Sequence, residues 1–301
     1  QTGHGNRGLV MSAALESLGI EHQLLLARPS IQPEGRRFKQ VADFQYPLIR
    51  LADGRWLDPG PDRAAIGFVP FVYLGGEALV LWPPQKGPAI QIPEERKVDD
   101  GRMIKARLHW ARDGSIEGEV VDTITGQEAI VVGNALASRT ADERRQLVQY
   151  LFAGVVPAAR ITELEESTAG DPDGPLVMRY TFQANMKERL SLGLFPVRPG
   201  RNFAILQDRN TDLQIELPVN QRVEFEVSGD VPFTVQGKGG TWSAKGARYT
   251  SYLDHDGHKM AVKTELHIKG GLLSQSDYPE FARWAREVGI AEQLVLNRTR
   301  Q

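Results

Sequence analysis

The chain has no cysteine among its 301 residues. That excludes disulfides, thiolate metal sites and any thiol nucleophile. Long apolar runs are missing as well. The longest, 129–132 and 147–156, fall far short of the roughly 20 residues that cross a bilayer as a helix. There is no excess of either charge: the formal net charge is −2. A nucleic-acid partner would ask for a basic face, so none is expected, and a polybasic membrane contact has no support either. No signal peptide is visible. The chain opens on Gln1 rather than Met and reads as a trimmed piece of something longer, with upstream domains missing. Neither an internal repeat nor a low-complexity tract occurs.

What is present suits a folded protein. Hydrophobic residues make up 41% and charged residues 25%, enough to bury a real core in about two domains. Residues 5–18 read as a helix with Met11, Leu15 and Leu18 on one face, ended by Gly19. Strands follow at 22–27, 43–51, 55–57 and 78–81, with a tight turn at Ala52-Asp53-Gly54. From about Met103 the pattern turns strongly β. Ile104, Ala106, Leu108 and Trp110 alternate with Lys105, Arg107 and His109. Val223, Phe225 and Val227 alternate with glutamates, and Met260, Val262, Leu266 and Ile268 with polar residues. One-face alternation predicts antiparallel sheets with a wet side, and several such runs favour a β-sandwich. Two helices are expected in this region. One, near 140–153, opens with Thr140 and Glu143 in capping-box spacing. The other, near 278–288, carries Phe281, Trp284 and Val288 and ends at Gly289.

Three local signals sit near the N-terminus: Gly3-His4-Gly5-Asn6-Arg7-Gly8-Leu9 leading to Leu18-Gly19-Ile20, then Phe44-Gln45-Tyr46-Pro47-Leu48-Ile49, then Gly54-Arg55-Trp56-Leu57-Asp58-Pro59. Their order and spacing resemble the transglutaminase-like superfamily, which has a papain-like core. The closer likeness is to large bacterial envelope proteins that carry such a core between β-rich domains. It covers residues 1–83. Over the remainder it rests on the β-rich pattern and on Asp277-Tyr278-Pro279 opening the last helix. The resemblance implies an α+β fold: residues 1–97 as the C-terminal half of the core, and 98–301 as a mostly antiparallel β-sandwich domain with two helices. It implies a periplasmic or extracellular setting, with a peptide, protein or glycan of the cell envelope as partner and no cofactor.

In that family a cysteine opens the helix, a histidine lies on a strand and an aspartate ends the next strand. The helix dipole acidifies the thiol, the imidazole takes its proton, and the carboxylate orients the imidazole. Carried over by position, these fall on His4, Tyr46 and Asp58. Only the third keeps its residue type. An imidazole forms no thioester, and a phenol with an ordinary pKa of about 10 is a poor base near neutrality. The expectation is a vestigial triad in a pseudoenzyme acting as a binding or scaffold module. Two alternatives stand beside it. One is a hydrolase with His4 and Asp58 as base and orienter and Tyr46 as acid. The other is a carbohydrate-binding β-domain with Trp242 and Tyr249 as its aromatic platform. His255-Asp256-Gly257-His258 reads as a hairpin turn in preference to a metal site. The glycines at 237, 239 and 240 read as a loop, since the Gly-Lys-Ser/Thr ending of a phosphate loop is missing. Glu224 and Glu226 read as a wet sheet face.

Overall fold

The computed structural model describes residues 6–31, 40–62, 64–84, 87–95, 100–167 and 174–299. Helix α1 (Arg7–Ser17) starts where the Asn6 side chain accepts a bond from the Gly8 N–H at 3.0 Å. It stops at Gly19, whose φ of 69° only glycine adopts cheaply. Its packed face differs from the expected one. Gly8 and Ser12 are buried, whereas Leu18 is 72% exposed. The reason is local: a Cβ at Gly8 would lie 2.8 Å from Pro47 Cβ, so the small residues are the ones that approach the sheet.

That sheet holds β1 (His22–Arg28), β2 (Tyr46–Leu51), β3 (Trp56–Leu57), β4 (Glu77–Trp82) and β5 (Ile90–Gln91), in the order β3-β2-β1-β4-β5. Every pairing in it is antiparallel. The strand expected at 43–51 starts only at Tyr46, because Val41–Asp43 form a turn of 3-10 helix. Leu25, Ala27, Leu48, Trp56, Val69, Ala78 and Ile92 make a small core of their own.

The rest of the chain builds one large sheet and its cover. The elements are β6 (Gly101–Trp110), β7 (Ser115–Thr125), α2 (Gly126–Ala137), α3 (Ala141–Phe152), β8 (Arg160–Ser167), β9 (Leu176–Asn185), β10 (Arg189–Gly193), α4 (Pro199–Phe203), β11 (Leu213–Ile215), β12 (Val219–Gly229), β13 (Phe233–Gln236), β14 (Gly240–Ala244), β15 (Ala247–His255), β16 (Lys259–Ile268), β17 (Gly271–Leu273), α5 (Tyr278–Ala291) and β18 (Gln293–Arg298). Eight strands run β14-β15-β16-β12-β6-β7-β9-β8. Each half is antiparallel, and the halves meet at a parallel seam where β6 pairs with β12. Alternation sends Ile104, Ala106, Leu108 and Trp110 inward and leaves Lys105, Arg107 and His109 in water. Phe182 lies opposite Gly118, and its ring occupies the space a Cβ there would need.

The fold is α+β, as the sequence implies. The second layer over the large sheet is mixed. A three-stranded sheet, β10-β18-β13, shares it with α2, α3 and α5, whose Val132, Leu136, Val148, Phe152, Phe281 and Trp284 join one core with the sheet. The layering is thus only partly that of a sandwich of two sheets. Helix α3 has the expected capping box. Helix α5 outruns its expected end, since Gly289 stays helical and the chain continues to Ala291. Helices α2 and α4 were not signalled by the sequence. No helix among the described residues is long and apolar enough to cross a membrane.

Candidate functional site

Two of the three candidate residues are brought together by the five-stranded sheet. Tyr46 opens β2, and Asp58 follows β3 directly. The pairing of Arg50 with Trp56 folds the chain back so that both side chains reach the same end. The Tyr46 hydroxyl donates to the carboxylate, at 2.9 Å from Oδ1 and 2.8 Å from Oδ2. The Gly60 N–H donates to Asp58 Oδ1 at 2.8 Å. The Tyr46 ring stacks on Tyr73, with centroids 4.4 Å apart and planes 20° from parallel. Arg7, in the first turn of α1, donates to the Gly60 carbonyl at 2.5 Å and to Asp62 at 2.7 Å. The helix start and the loop after Asp58 are therefore tied together. His4 lies outside the described residues.

The electrostatics suit a fixed donor–acceptor pair. Burial, then the neighbouring Asp58 charge and the bond to it, push the Tyr46 phenol far above its ordinary range, so it holds its proton. Burial also raises Asp58, while the Gly60 and Tyr46 bonds pull it back down. A phenol that donates to both carboxylate oxygens is poorly placed to accept a proton. The arrangement supplies a locked hydrogen bond, and no thiol nucleophile, since the chain has no cysteine.

His255-Asp256-Gly257-His258 is the β15–β16 hairpin turn. Gly257 has φ 99°, Asp256 caps the His258 and Lys259 N–H groups, and the His258 Nδ1 faces the Gly229 carbonyl at 3.0 Å. Among the described residues no group of three or more His, Asp or Glu side chains converges as a metal site would need. Glu224 pairs with Lys105 at 3.8 Å and Glu226 with Arg107 at 3.2 Å across the parallel seam. His109 and His267 are on the wet face, beside Asp230 and Asn220 respectively. Glycines 237 and 239 lie between β13 and β14. The proposed aromatic platform does not exist: Tyr249 is fully buried against Phe195, and Trp242 is half-buried against Tyr249.

Two polar groupings escaped the sequence reading. Ser12 on α1 and His22 on β1 are 2.6 Å apart at Oγ and Nε2, and His22 Nδ1 lies 2.9 Å from the Ile20 carbonyl. The carbonyl can only accept, so Nδ1 carries a proton, and in the neutral imidazole the serine then donates to Nε2. The spacing is that of a nucleophile and its base. Ser12 is only 5% exposed against the sheet, however, and the pair clips helix to strand. No motif announces it.

The second grouping centres on a buried pair, Arg102 and Asp122, with the partly exposed Glu128 beside it. Arg102 donates through Nε and Nη2 to both oxygens of Asp122, at 3.0 and 2.6 Å, and through Nη1 to Glu128 at 2.8 Å. The alternation was a usable signal here, since Arg102 and Asp122 occupy inward positions in line with Ile104 and Val120.

Comparison with known proteins gives little to set beside this geometry. No family model matches the chain. No curated protein matches it either. Among solved structures it is similar to a protein of Parabacteroides distasonis ATCC 8503 named "putative protease", at 11% identity and a TM-score of 0.47. The alignment covers 96% of this chain and 43% of that one. At that distance the likeness assigns neither an activity nor a superfamily to this chain.

Proposed function

We propose that the chain is a non-catalytic, transglutaminase-like binding or scaffold module of the bacterial cell envelope, periplasmic or extracellular. In this reading residues 1–97 are the C-terminal half of the core and 98–301 the β-rich domain. The observation that carries it is the Tyr46–Asp58 bond. At the positions where the resemblance calls for a base and its orienter, a protonated phenol donates to both oxygens of the carboxylate. Asp58 takes a second donor from the Gly60 N–H, so the carboxylate is already held by two groups of its own sheet and loop. A hydrolase built on His4 and Asp58 would need that carboxylate to orient an imidazole.

The partner is a peptide, protein or glycan held without turnover. The test is an amidase and acyl-transfer assay on the wild-type chain, on His4→Ala, and on the paired variant His4→Cys with Tyr46→His. Wild type and His4→Ala should both stay at background. The paired variant restores the residue types of the chemistry and is the one in which trace turnover is expected. Robust wild-type turnover that disappears in His4→Ala would overturn the proposal in favour of the hydrolase.

A further inference from the structure

The geometry points to an oligosaccharide-binding groove at the opposite end of the five-stranded sheet from Tyr46. The groove has a volume of about 680 Å³ and lies where α1 ends and where β1, β2 and β4 reach His22, Leu51 and Trp82. Tyr46 pairs with Ala27 at the other end of β1, five residues and so about 17 Å away. The site is therefore separate from the Tyr46–Asp58 pair and stands whether or not that pair is inert.

Three observations select the ligand class. First, the indole of Trp82 lies on the groove and is 48% exposed, whereas every other tryptophan is buried or half-buried. A half-exposed aromatic side chain offers a surface that matches the apolar C–H face of a pyranose ring. Second, Glu16, Glu21, Gln23 and Arg50 surround it, and among the described residues none of these side chains has a hydrogen-bond or ion-pair partner. Gln23 and Arg50 are direct cross-strand neighbours. Carboxylate, amide and guanidinium are planar groups with paired donors or acceptors, the form that engages two neighbouring hydroxyls at once. Third, the main chain on the side of the groove where α1 runs into β1 is already committed. The Gly19 N–H donates to Glu16, Ile20 to Leu15 and Ala52 to Glu21, at 3.0, 2.9 and 3.2 Å. An extended peptide adds to a protein through free backbone groups at a strand edge. On this side the free polar groups are side chains around a ring, which favours a hydroxyl-rich ligand; the edge of β4 beyond Ala78, which β5 leaves unpaired, is where a peptide would add instead.

The test is calorimetric titration of the chain with four tetrasaccharides: β-1,4-linked N-acetylglucosamine, β-1,4-linked glucose, α-1,4-linked glucose and β-1,4-linked mannose. At least one should bind with a Kd below about 1 mM. Trp82→Ala should weaken that binding about tenfold or more, and Arg50→Ala should weaken it several-fold. Both side chains are at least partly exposed, and unchanged circular dichroism would establish that the variants fold. Tyr150→Ala, which removes an exposed aromatic on α3, should leave the affinity unchanged. Binding of none of the four, or binding indifferent to Trp82→Ala, would overturn the inference. So would a nonapeptide library that binds in a Trp82-dependent way where the saccharides do not. Any of these results leaves the reading of Tyr46 and Asp58 untouched, since that is decided by turnover.

Discussion

Glu292 follows α5 and is 1% exposed, with its Oε2 lacking any hydrogen-bond partner among the described residues. Burial pushes its carboxyl up to about 8, against a partial pull downward from the Arg198 charge. The folded chain thus holds a proton that the unfolded chain releases near the ordinary glutamate value. Stability from this group is fully present below about pH 4.5 and declines as pH rises to about 8. The total loss is on the order of a few kcal/mol. Glu292→Gln keeps the neutral shape, so it should flatten this decline and make the protein more stable than wild type at pH 8. Urea unfolding at pH 5 and pH 8 measures it, and parallel pH dependence in both proteins would count against the assignment. The Tyr46 hydroxyl is a second residue-scale lever. Tyr46→Phe keeps the stack on Tyr73 but strips a buried carboxylate of one donor, and should cost about 2 kcal/mol. An unchanged urea midpoint would mean that the pair contributes nothing to stability.

Among the elements, α2 shows how local chemistry can hide a helix. Ile130, Val131 and Val132 are β-branched and Gly133 follows them, so the segment has weak helical propensity. Its start is fixed from outside. Asp100 Oδ1 accepts from the Gln127 N–H at 2.6 Å, and Gly126 turns the chain with φ 69°. A Cβ at Gly126 would stand 2.3 Å from that same carboxylate oxygen. Gly126→Ala should therefore cost about 2 kcal/mol or more, from left-handed strain and loss of the cap together. In an Asp100→Ala background the same substitution should cost less, because the cap and the closest clash are gone and only the approach to the residue 100 Cα, at 2.9 Å, remains; strictly additive thermal-melt losses would refute the shared mechanism.

The elements that were legible carried their own signals: the inward alternation of β6, β12 and β16, the Thr140–Glu143 box of α3, and the apolar stripe of α5. Those that were not depend on distant partners. Trp56 and Asp58 could be read because a short run of chain places them. The Arg102–Asp122–Glu128 grouping needs a strand pair and a helix at once, and the packed face of α1 depends on the closeness of Pro47.

At the scale of the molecule the described residues form two buried cores of unequal size. Seven residues between Leu25 and Ile92 form the small one, and the large one extends from Ile104 to Leu296. Opening free energy follows buried apolar contact, so the five-stranded sheet should open more readily than the eight-stranded one. Native-state hydrogen exchange in low urea should give amides of β1, β2 and β4 a lower opening free energy than those of β6, β7 and β12. A single value shared by both sets would mean that the two cores unfold as one.

The parallel seam also bears on how the chain reaches this state. Within each half hairpins such as β6–β7 and β15–β16 form first and the wider pairings β7–β9 and β12–β16 join them, whereas the seam joins Arg107 to Glu226, 119 residues apart. Closing so long a loop costs entropy before any ladder bond repays it. The two four-stranded halves should therefore mate late, after each has begun to form. Until they do, β6 and β12 each offer a bare edge in the middle of what will become a continuous sheet. Refolding at high concentration should lose yield through those two edges, because one chain's β6 can meet another chain's β12 as readily as its own.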